Sequence, residues 1–415
     1  MKKIITLLIL SISTILSGQP TTRFMVVSDM HFYSPAPNFK ESLLYEIIQA
    51  AIDEKVDFIF FTGDLVISGF SGPDEQDSVL KDWRLLLDTL STHNIKVYSC
   101  RGNNDVNRES WDALFSGDYA FPQNGPENER NITYAVEFND ILFISLDQYL
   151  SSHRINQPWL EEVLSANEKK YIFVASHEPA FKLLHSNCMG AYPRERDAFW
   201  ESLIRAGVKV FFCGHDHFYD HAIIDDGDGN VNNDVQQVMV GTGGSLHSDS
   251  YYDGDNGRWT PVRSFHEEGN GYVLVEANES NVRLIWKHRI EQHIFEAGGD
   301  TYDFFVTAVD ENFNPDGYGV FQNYPNPFNT ATTIGYDLPK SGYLLLVICD
   351  LLGRHVKTLL ETQQQAGQFQ ITWDGTDEHN LPVAAGMYFC RMEAGDPSTG
   401  SGKRFVEAAK LLLIK

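Results

Sequence analysis

Past the first twenty residues, short, largely apolar runs alternate with stretches whose apolar positions recur at helical spacing. The runs fall at 24–27, 58–61, 95–100, 141–146, 171–175 and 208–213. Between the first two, Leu43, Leu44, Ile47, Ile48, Ala51 and Ile52 mark one face of a helix, and residues 78–92 read as another. A strand that is apolar at every position has to be covered on both faces, so the alternation predicts a layered α/β core. From about 218 to 300 the texture changes to hairpins and loops with glycine punctuation. Residues 301–320 read as a linker. Residues 321–415, rich in Pro, Gly and short alternating strands, read as a separate small β-sandwich.

The amino terminus changes where the chain is expected to work. Met1, Lys2 and Lys3 precede an apolar run over 4–16 that is too short to cross a bilayer, and the small residues Ser17 and Gly18 follow. That order predicts a cleaved signal peptide over residues 1–18. No other uncharged run of eighteen apolar residues occurs, so the mature chain is expected to lack a transmembrane span and to be exported.

Charge narrows the partners. With 32 basic and 57 acidic residues the formal charge is −25, which repels phosphate backbones, so no nucleic-acid scaffold is expected. A phosphorylated substrate then needs local positive charge, which a metal can supply. The five cysteines, Cys100, Cys188, Cys213, Cys349 and Cys390, show no Cys-x-x-Cys spacing, so neither a zinc ribbon nor a thioredoxin-like motif is present.

The chemistry sits where the apolar runs end. Ser28-Asp29-Met30-His31 closes the first run and Thr62-Gly63-Asp64 the second. Arg101-Gly102-Asn103-Asn104-Asp105 follows the third, Ser176-His177-Glu178 a later one, and Gly214-His215-Asp216-His217 the last. Ligands in layered α/β folds collect at the carboxyl ends of strands, so these five loops are expected to converge. Carboxylates, imidazoles and one amide oxygen suit a hard-to-borderline metal. Each piece alone is weak, since Asp-x-His is common and Gly-Asp is usually a turn; five in order are specific.

Residues 22 to about 290 therefore resemble a calcineurin-like metallophosphoesterase, which carries Asp-x-His, Gly-Asp, Gly-Asn, a lone His and Gly-His-x-His in this order. The resemblance implies a layered α/β-β-sandwich domain over residues 19–300. It also implies two divalent or trivalent metal ions (Fe, Mn or Zn) and hydrolysis of phosphomonoesters or phosphodiesters by a metal-bridging hydroxide. It assigns one metal to Asp29, His31 and His217, the second to Asn103, His177 and His215, and the bridge to Asp64. Asn104 and Asp105 stand as catalytic candidates. Asn104 departs from the family, many members of which have a histidine there; an amide donates a hydrogen bond but transfers no proton. Ile67 stands where the purple acid phosphatase branch has a metal-bound tyrosine.

Arg101, His185, Arg194 and Arg196 are candidates for holding phosphate oxygens, although exposed arginines on a loop and a helix start read the same way. His221 either hydrogen-bonds near the site or simply starts a strand. Gly241-Thr242-Gly243-Gly244 either approaches the metals or only turns, and the acidic stretch 225–234 lacks the distal glutamate of a calcium loop.

The last 95 or so residues carry Tyr324-Pro325-Asn326-Pro327-Phe328-Asn329, Asp350-Leu351-Leu352-Gly353-Arg354, Trp373-Asp374-Gly375 and Ala385-Gly386-Met387-Tyr388. They resemble a type A sorting domain of type IX secretion, which implies an immunoglobulin-like sandwich, the type IX machinery as partner, and a secreted or outer-membrane-surface location. Cys349 and Cys390, on separate strands, could pair in an oxidising compartment. The competing functional reading is a non-catalytic surface or polymer-binding protein that keeps the metal site as a structural element.

Overall fold

The computed structural model describes residues 22–32, 42–66, 73–105, 107–226, 234–244, 252, 256–278, 281–305, 319–320, 323, 328–329, 331–364, 367–379, 381–395 and 405–414. The expected signal peptide lies outside them. The elements run β1 (Thr22–Val27), α1 (Leu43–Glu54), β2 (Phe58–Phe61), α2 (Pro73–Thr92), β3 (Lys96–Ser99), α3 (Arg108–Leu114), β4 (Tyr134–Phe138), β5 (Ile141–Ser145), α4 (Gln157–Ser165) and β6 (Tyr171–Ala175). After them come α5 (Pro193–Arg205), β7 (Val210–Cys213), β8 (Tyr219–Asp225), β9 (Val235–Val240), β10 (Thr260–Glu267), β11 (Gly271–Ala277), β12 (Asn281–Glu291) and β13 (Ile294–Phe305).

Two sheets are built from these strands, in the orders β13-β12-β11-β1-β2-β3 and β10-β8-β9-β7-β6-β5-β4. Strand alternation explains the apolar runs. Phe24 and Val26 of β1 and Phe58 and Phe60 of β2 point into a core shared with Phe143, Phe173 and Phe212 of the facing sheet. Met25, Val27, Ile59 and Phe61 point the other way, onto α1 and α2 through Ile47, Ile48 and Trp83. The second sheet repeats this, sending Ile172, Val174 and Phe211 onto α4 and α5. The result is helix–sheet–sheet–helix layering, and β1-β2-β3 and β5-β6-β7 run parallel. Their carboxyl ends all face one rim.

One boundary differs from expectation. β13 continues to Phe305, pairing Asn281↔Phe305 with β12, so residues 301–305 belong to the first sheet and not to a linker. The aromatic and β-branched residues of that stretch (Thr301, Tyr302, Phe304) are strand formers whose partner strand lies upstream. At the other end of the expected linker, β14 (Gly319–Val320) pairs with β15 (Thr332–Leu338).

The carboxyl-terminal unit adds β16 (Gly342–Asp350), β17 (His355–Gln364), β18 (Gly367–Trp373), β19 (Gly386–Gly395) and β20 (Phe405–Leu413). They form a three-stranded sheet β14-β15-β18 and a four-stranded sheet β17-β16-β19-β20 around Ile334, Leu346, Trp373 and Leu411. The immunoglobulin-like sandwich is thus present. The proposed Cys349–Cys390 pairing is not. Cys349 lies opposite Phe389 and Cys390 opposite Ile348, which puts the two thiols on opposite faces of the sheet, and all five cysteines are free.

Candidate metal centre

Five loops meet at the rim, three from the first sheet and two from the second. Backbone hydrogen bonds stitch them together. Asp29 N–H donates to the Gly63 carbonyl (3.0 Å), His31 N–H to Asp64 (3.1 Å), and Gly214 N–H to His177 (2.8 Å). Gly102 is needed for close approach, since a Cβ there would stand 2.0 Å from Asp64 Oδ1 and 2.3 Å from Asp64 N. Asp29 (φ 56°), His31 (45°), Asp64 (50°) and His215 (78°) all take left-handed backbone, uncommon outside glycine although Asp and His adopt it more readily than most. The turns that aim these side chains inward therefore cost backbone strain.

The seven expected ligands come together. Around Asp29 Oδ1 stand three imidazole Nε2 atoms: His217 at 3.4 Å, His31 at 3.7 Å and His177 at 4.0 Å. Asp64 Oδ2 lies 3.2 Å from His31 Nε2 and 3.5 Å from His177 Nε2, so one oxygen stands between two donor sets. In the second set, Asn103 Oδ1 is 3.2 Å from His177 Nε2 and 2.9 Å from His215 Nδ1. Donors held about 2.1 Å from one cation lie roughly 3.0–3.5 Å apart at octahedral or tetrahedral angles, close to this spacing. Asp29 Oδ1 and His215 Nε2 are buried with no hydrogen bond. A buried carboxylate oxygen ringed by imidazoles yet bonded to none fits a cation better than it fits a hydrogen-bond network. The residues present fit two metals.

Neighbouring groups fix each donor. His177 Nδ1 donates to the Thr62 carbonyl at 2.8 Å, which leaves Nε2 as the ligating atom. Asn104 holds the bridging carboxylate from both sides, its backbone N–H to Asp64 Oδ1 (2.8 Å) and Nδ2 to Oδ2 (2.5 Å). Asp105 is buried and accepts from the backbone N–H groups of Leu65 (3.1 Å) and Gly102 (3.0 Å), tying two ligand loops together. Burial, with the Asp64 charge, lifts the Asp105 carboxyl to about 7.

The electrostatics show what the cluster attracts. Burial opposes charge on His177, yet the Asp64 and Asp29 carboxylates raise it to about 10, and they lift His31 against burial to about 9. Burial works equally against Asp29 and Asp64, but the surrounding histidines hold both carboxyls well below the usual range. Burial and the His177 charge push His215 down to about 4. Two buried carboxylates thus demand positive charge, and protons and cations compete to provide it.

Of the softer candidates, His185 is at the site. Its Nδ1 is hydrogen-bonded to the buried Asp216, its ring centroid is 4.9 Å from that of His215, and it is half-exposed. Two others correct the expectation of substrate arms. Arg101 is buried and ion-paired with Asp147 at 2.8 Å, and Arg196 is buried against Asp197 (2.8 Å) and the Phe181 ring. Each guanidinium already has its carboxylate. Arg194 is exposed on the first turn of α5. His221 belongs to neither metal set: it lies inside β8 and bonds Asp300 at 2.8 Å. Gly243 N–H donates to the Ser28 carbonyl (2.9 Å), so the glycine stretch packs on the first ligand loop. Oxygens of Asp225, Asp226 and Asp234 lie within 4.8 Å of one another, while residues 227–233 between them are outside the described set.

Sequence reasoning missed Asp147, Gln148, Glu178 and His153. Gln148 Oε1 accepts from Glu178 N–H (2.7 Å), and His153 Nδ1 bonds the Glu178 carboxylate (2.8 Å). Glu178 follows ligand His177 directly, a signal within reach; His153 and Asp147 gave none.

Residues 22–219 match the model of the calcineurin-like phosphoesterase family, and residues 329–398 match that of the FlgD Ig-like domain. The amino-terminal unit has the metallophosphoesterase fold. Among solved structures the chain is similar to GAP50, the anchor in the inner membrane complex of Plasmodium (15% identity, 69% of this chain and 89% of that one, TM-score 0.49). It is also similar to a purple acid phosphatase from yellow lupin seeds (15%, 69% and 54%, TM-score 0.49) and to a dimetal phosphatase from Danio rerio (13%, 68% and 98%, TM-score 0.45). No curated protein matches the sequence.

Proposed function

We propose that the protein is an exported, dinuclear-metal hydrolase of phosphoric esters. The observation that carries the reading is Asp64 Oδ2, one carboxylate oxygen shared between the His31 and His177 nitrogens at 3.2 and 3.5 Å, as a bridged pair of cations requires. Asp29, His31 and His217 would hold one metal and Asn103, His177 and His215 the other. Bound there, two cations would acidify a water and offset charge on the phosphoryl oxygens. The chain's own residues do the positioning. Asn104 orients the shared carboxylate, Asp105 locks the two loops that carry it and Asn103, and Thr62 fixes the His177 tautomer. His185, held at Nδ1 by Asp216 with its ring 4.9 Å from that of His215, is placed beside the proposed metals, where an imidazole can contribute to holding a phosphoryl group.

The test is purified protein loaded with Mn²⁺, Fe²⁺ or Zn²⁺ and assayed on nitrophenyl phosphate and bis-nitrophenyl phosphate, with metal content measured alongside. Two bound metals and turnover of one ester class are expected; two bound metals without hydrolysis of either favour the structural-element reading.

The carboxyl-terminal motifs support export through type IX secretion, with residues 321–415 as the address. A reporter protein fused to that segment should reach the medium or cell surface of a Gram-negative host that has the machinery, and stay in the periplasm of one that lacks it. Among the described residues no helix is long and apolar enough to cross a membrane.

A further inference from the structure

We propose, resting on the phosphoesterase reading, that a groove beside the metal centre binds a second anionic group on the substrate, a phosphate or carboxylate additional to the ester cleaved. The groove is a cavity of about 390 Å³ between the loop leading into α4 and the first turn of α5, and Ser151, His153, Arg154, Met189 and Arg194 line it. Its charges are the unusual feature. Arg23, Arg101, Arg263 and Arg289 each meet a carboxylate within 3.0 Å, as expected in so acidic a chain. Arg154 and Arg194 have no carboxylate partner among the described residues. Arg154 is nevertheless fixed. Its Nε donates to the Ser151 carbonyl (2.9 Å) and its guanidinium lies 4.6 Å from the centre of the Tyr192 ring, so its terminal nitrogens are presented without further loss of side-chain freedom.

Two unpaired guanidiniums in one cavity repel each other until an anion joins them, and the planar fork matches a phosphate or carboxylate. Glu195 also lines the cavity, one carboxylate against two unpaired cations, and Arg196 spends its fork on Asp197. The groove is connected to the proposed metal centre through His153, which lines the cavity and bonds Glu178, the residue after His177. On this proposal, a substrate whose ester reaches the metals extends its second anion along the His153 side to Arg154 and Arg194.

The experiment uses a matched set on the metal-loaded protein: propyl phosphate, propane-1,3-diol bisphosphate and 3-phosphooxypropionate. These share a leaving chain and differ in its far end, and the two anionic esters separate phosphate from carboxylate. Wild type should prefer at least one anionic ester in kcat/KM. Arg194→Gln and Arg154→Gln should each cut that preference about tenfold, the weight of one charge-assisted bond, and Glu195→Gln should raise it. No preference in wild type, or a preference that none of these variants moves, overturns the proposal. Calorimetry with propane-1,3-bisphosphonate reads the groove without turnover and should show weaker binding to Arg194→Gln; equal binding overturns it too. Failure on every ester, nitrophenyl phosphate included, overturns the phosphoesterase reading instead.

Discussion

Two buried clusters of histidine and aspartate lie in the amino-terminal unit, and they are bonded differently. At the rim, Asp29 Oδ1 has three imidazole nitrogens between 3.4 and 4.0 Å and hydrogen-bonds none of them. Within the sheets, Asp300 Oδ2 accepts from His221 Nδ1 at 2.8 Å and from Tyr219 Oη at 2.6 Å, while His221 Nε2 meets Gln236. The first cluster rests on left-handed turns; His221 and Asp300 sit on ordinary strand backbone. Histidine and aspartate are common to both. What separates a binding site from an internal ion pair is whether the polar atoms already satisfy one another.

The sharpest way to break this contrast is Asp64→Asn. An amide neutralises the shared anion, so at least one metal should be lost and hydrolysis should fall about 10²–10⁴-fold, several kcal/mol of charge stabilisation. Elemental analysis and steady-state rates check it; two metals at normal rate would mean that Asp64 is no bridge.

Asp300→Asn addresses the other cluster. Removing one partner of a buried pair typically costs about 3–5 kcal/mol, and here the loss should appear in denaturant unfolding with metal content unchanged. Burial opposes charge on His221 while Asp300 raises its pKa; burial likewise opposes Asp300, and His221 lowers it. The pair's contribution is therefore complete between roughly pH 4 and 6.5, fades as pH rises through the raised pKa of His221, and fades on acidification through the lowered one of Asp300. A stability gap between wild type and variant that is flat from pH 5 to 10 would contradict an ionised pair.

A smaller effect is expected of Asn104→Ala, which removes the side-chain bond to Asp64 Oδ2 and keeps the backbone one. Supporting residues of this kind are worth about 10–100-fold in metal affinity, readable by competition with a chelator. Smallest of all should be the effect of ending the chain after residue 305. Hydrogen bonding within the sheets closes inside each unit, so metal content and rate should match the full chain; an inactive but folded truncation would show that the sandwich contributes to the site.

The ligand set was legible because each donor closely follows a largely apolar run, which places Asp29, Asp64, Asn103, His177 and His215 just past strand ends without any knowledge of pairing. Arg101 and Arg196 were misread for the opposite reason. Arginine looks the same in sequence whether it waits for phosphate or is already paired, and Asp147 lies 46 residues from Arg101. The same holds for His221, whose partner Asp300 is 79 residues away. The β11-β12-β13 extension depended on antiparallel register, which local composition does not encode; hence Tyr302 and Phe304 passed for linker.

The left-handed turns under Asp29, His31, Asp64 and His215 also have a meaning for lineage. Each holds its place against a backbone preference of order 1 kcal/mol, which glycine at the same position would relieve. On the proposed reading, the need for metal ligands is what keeps side chains there. A descendant that abandoned hydrolysis would gain stability by drifting to glycine at those four positions first, while Asn103, His177 and His217, under no such strain, would decay no faster than their surroundings. Glycine at the strained positions beside surviving imidazoles at the relaxed ones would be the fossil imprint of a retired enzyme.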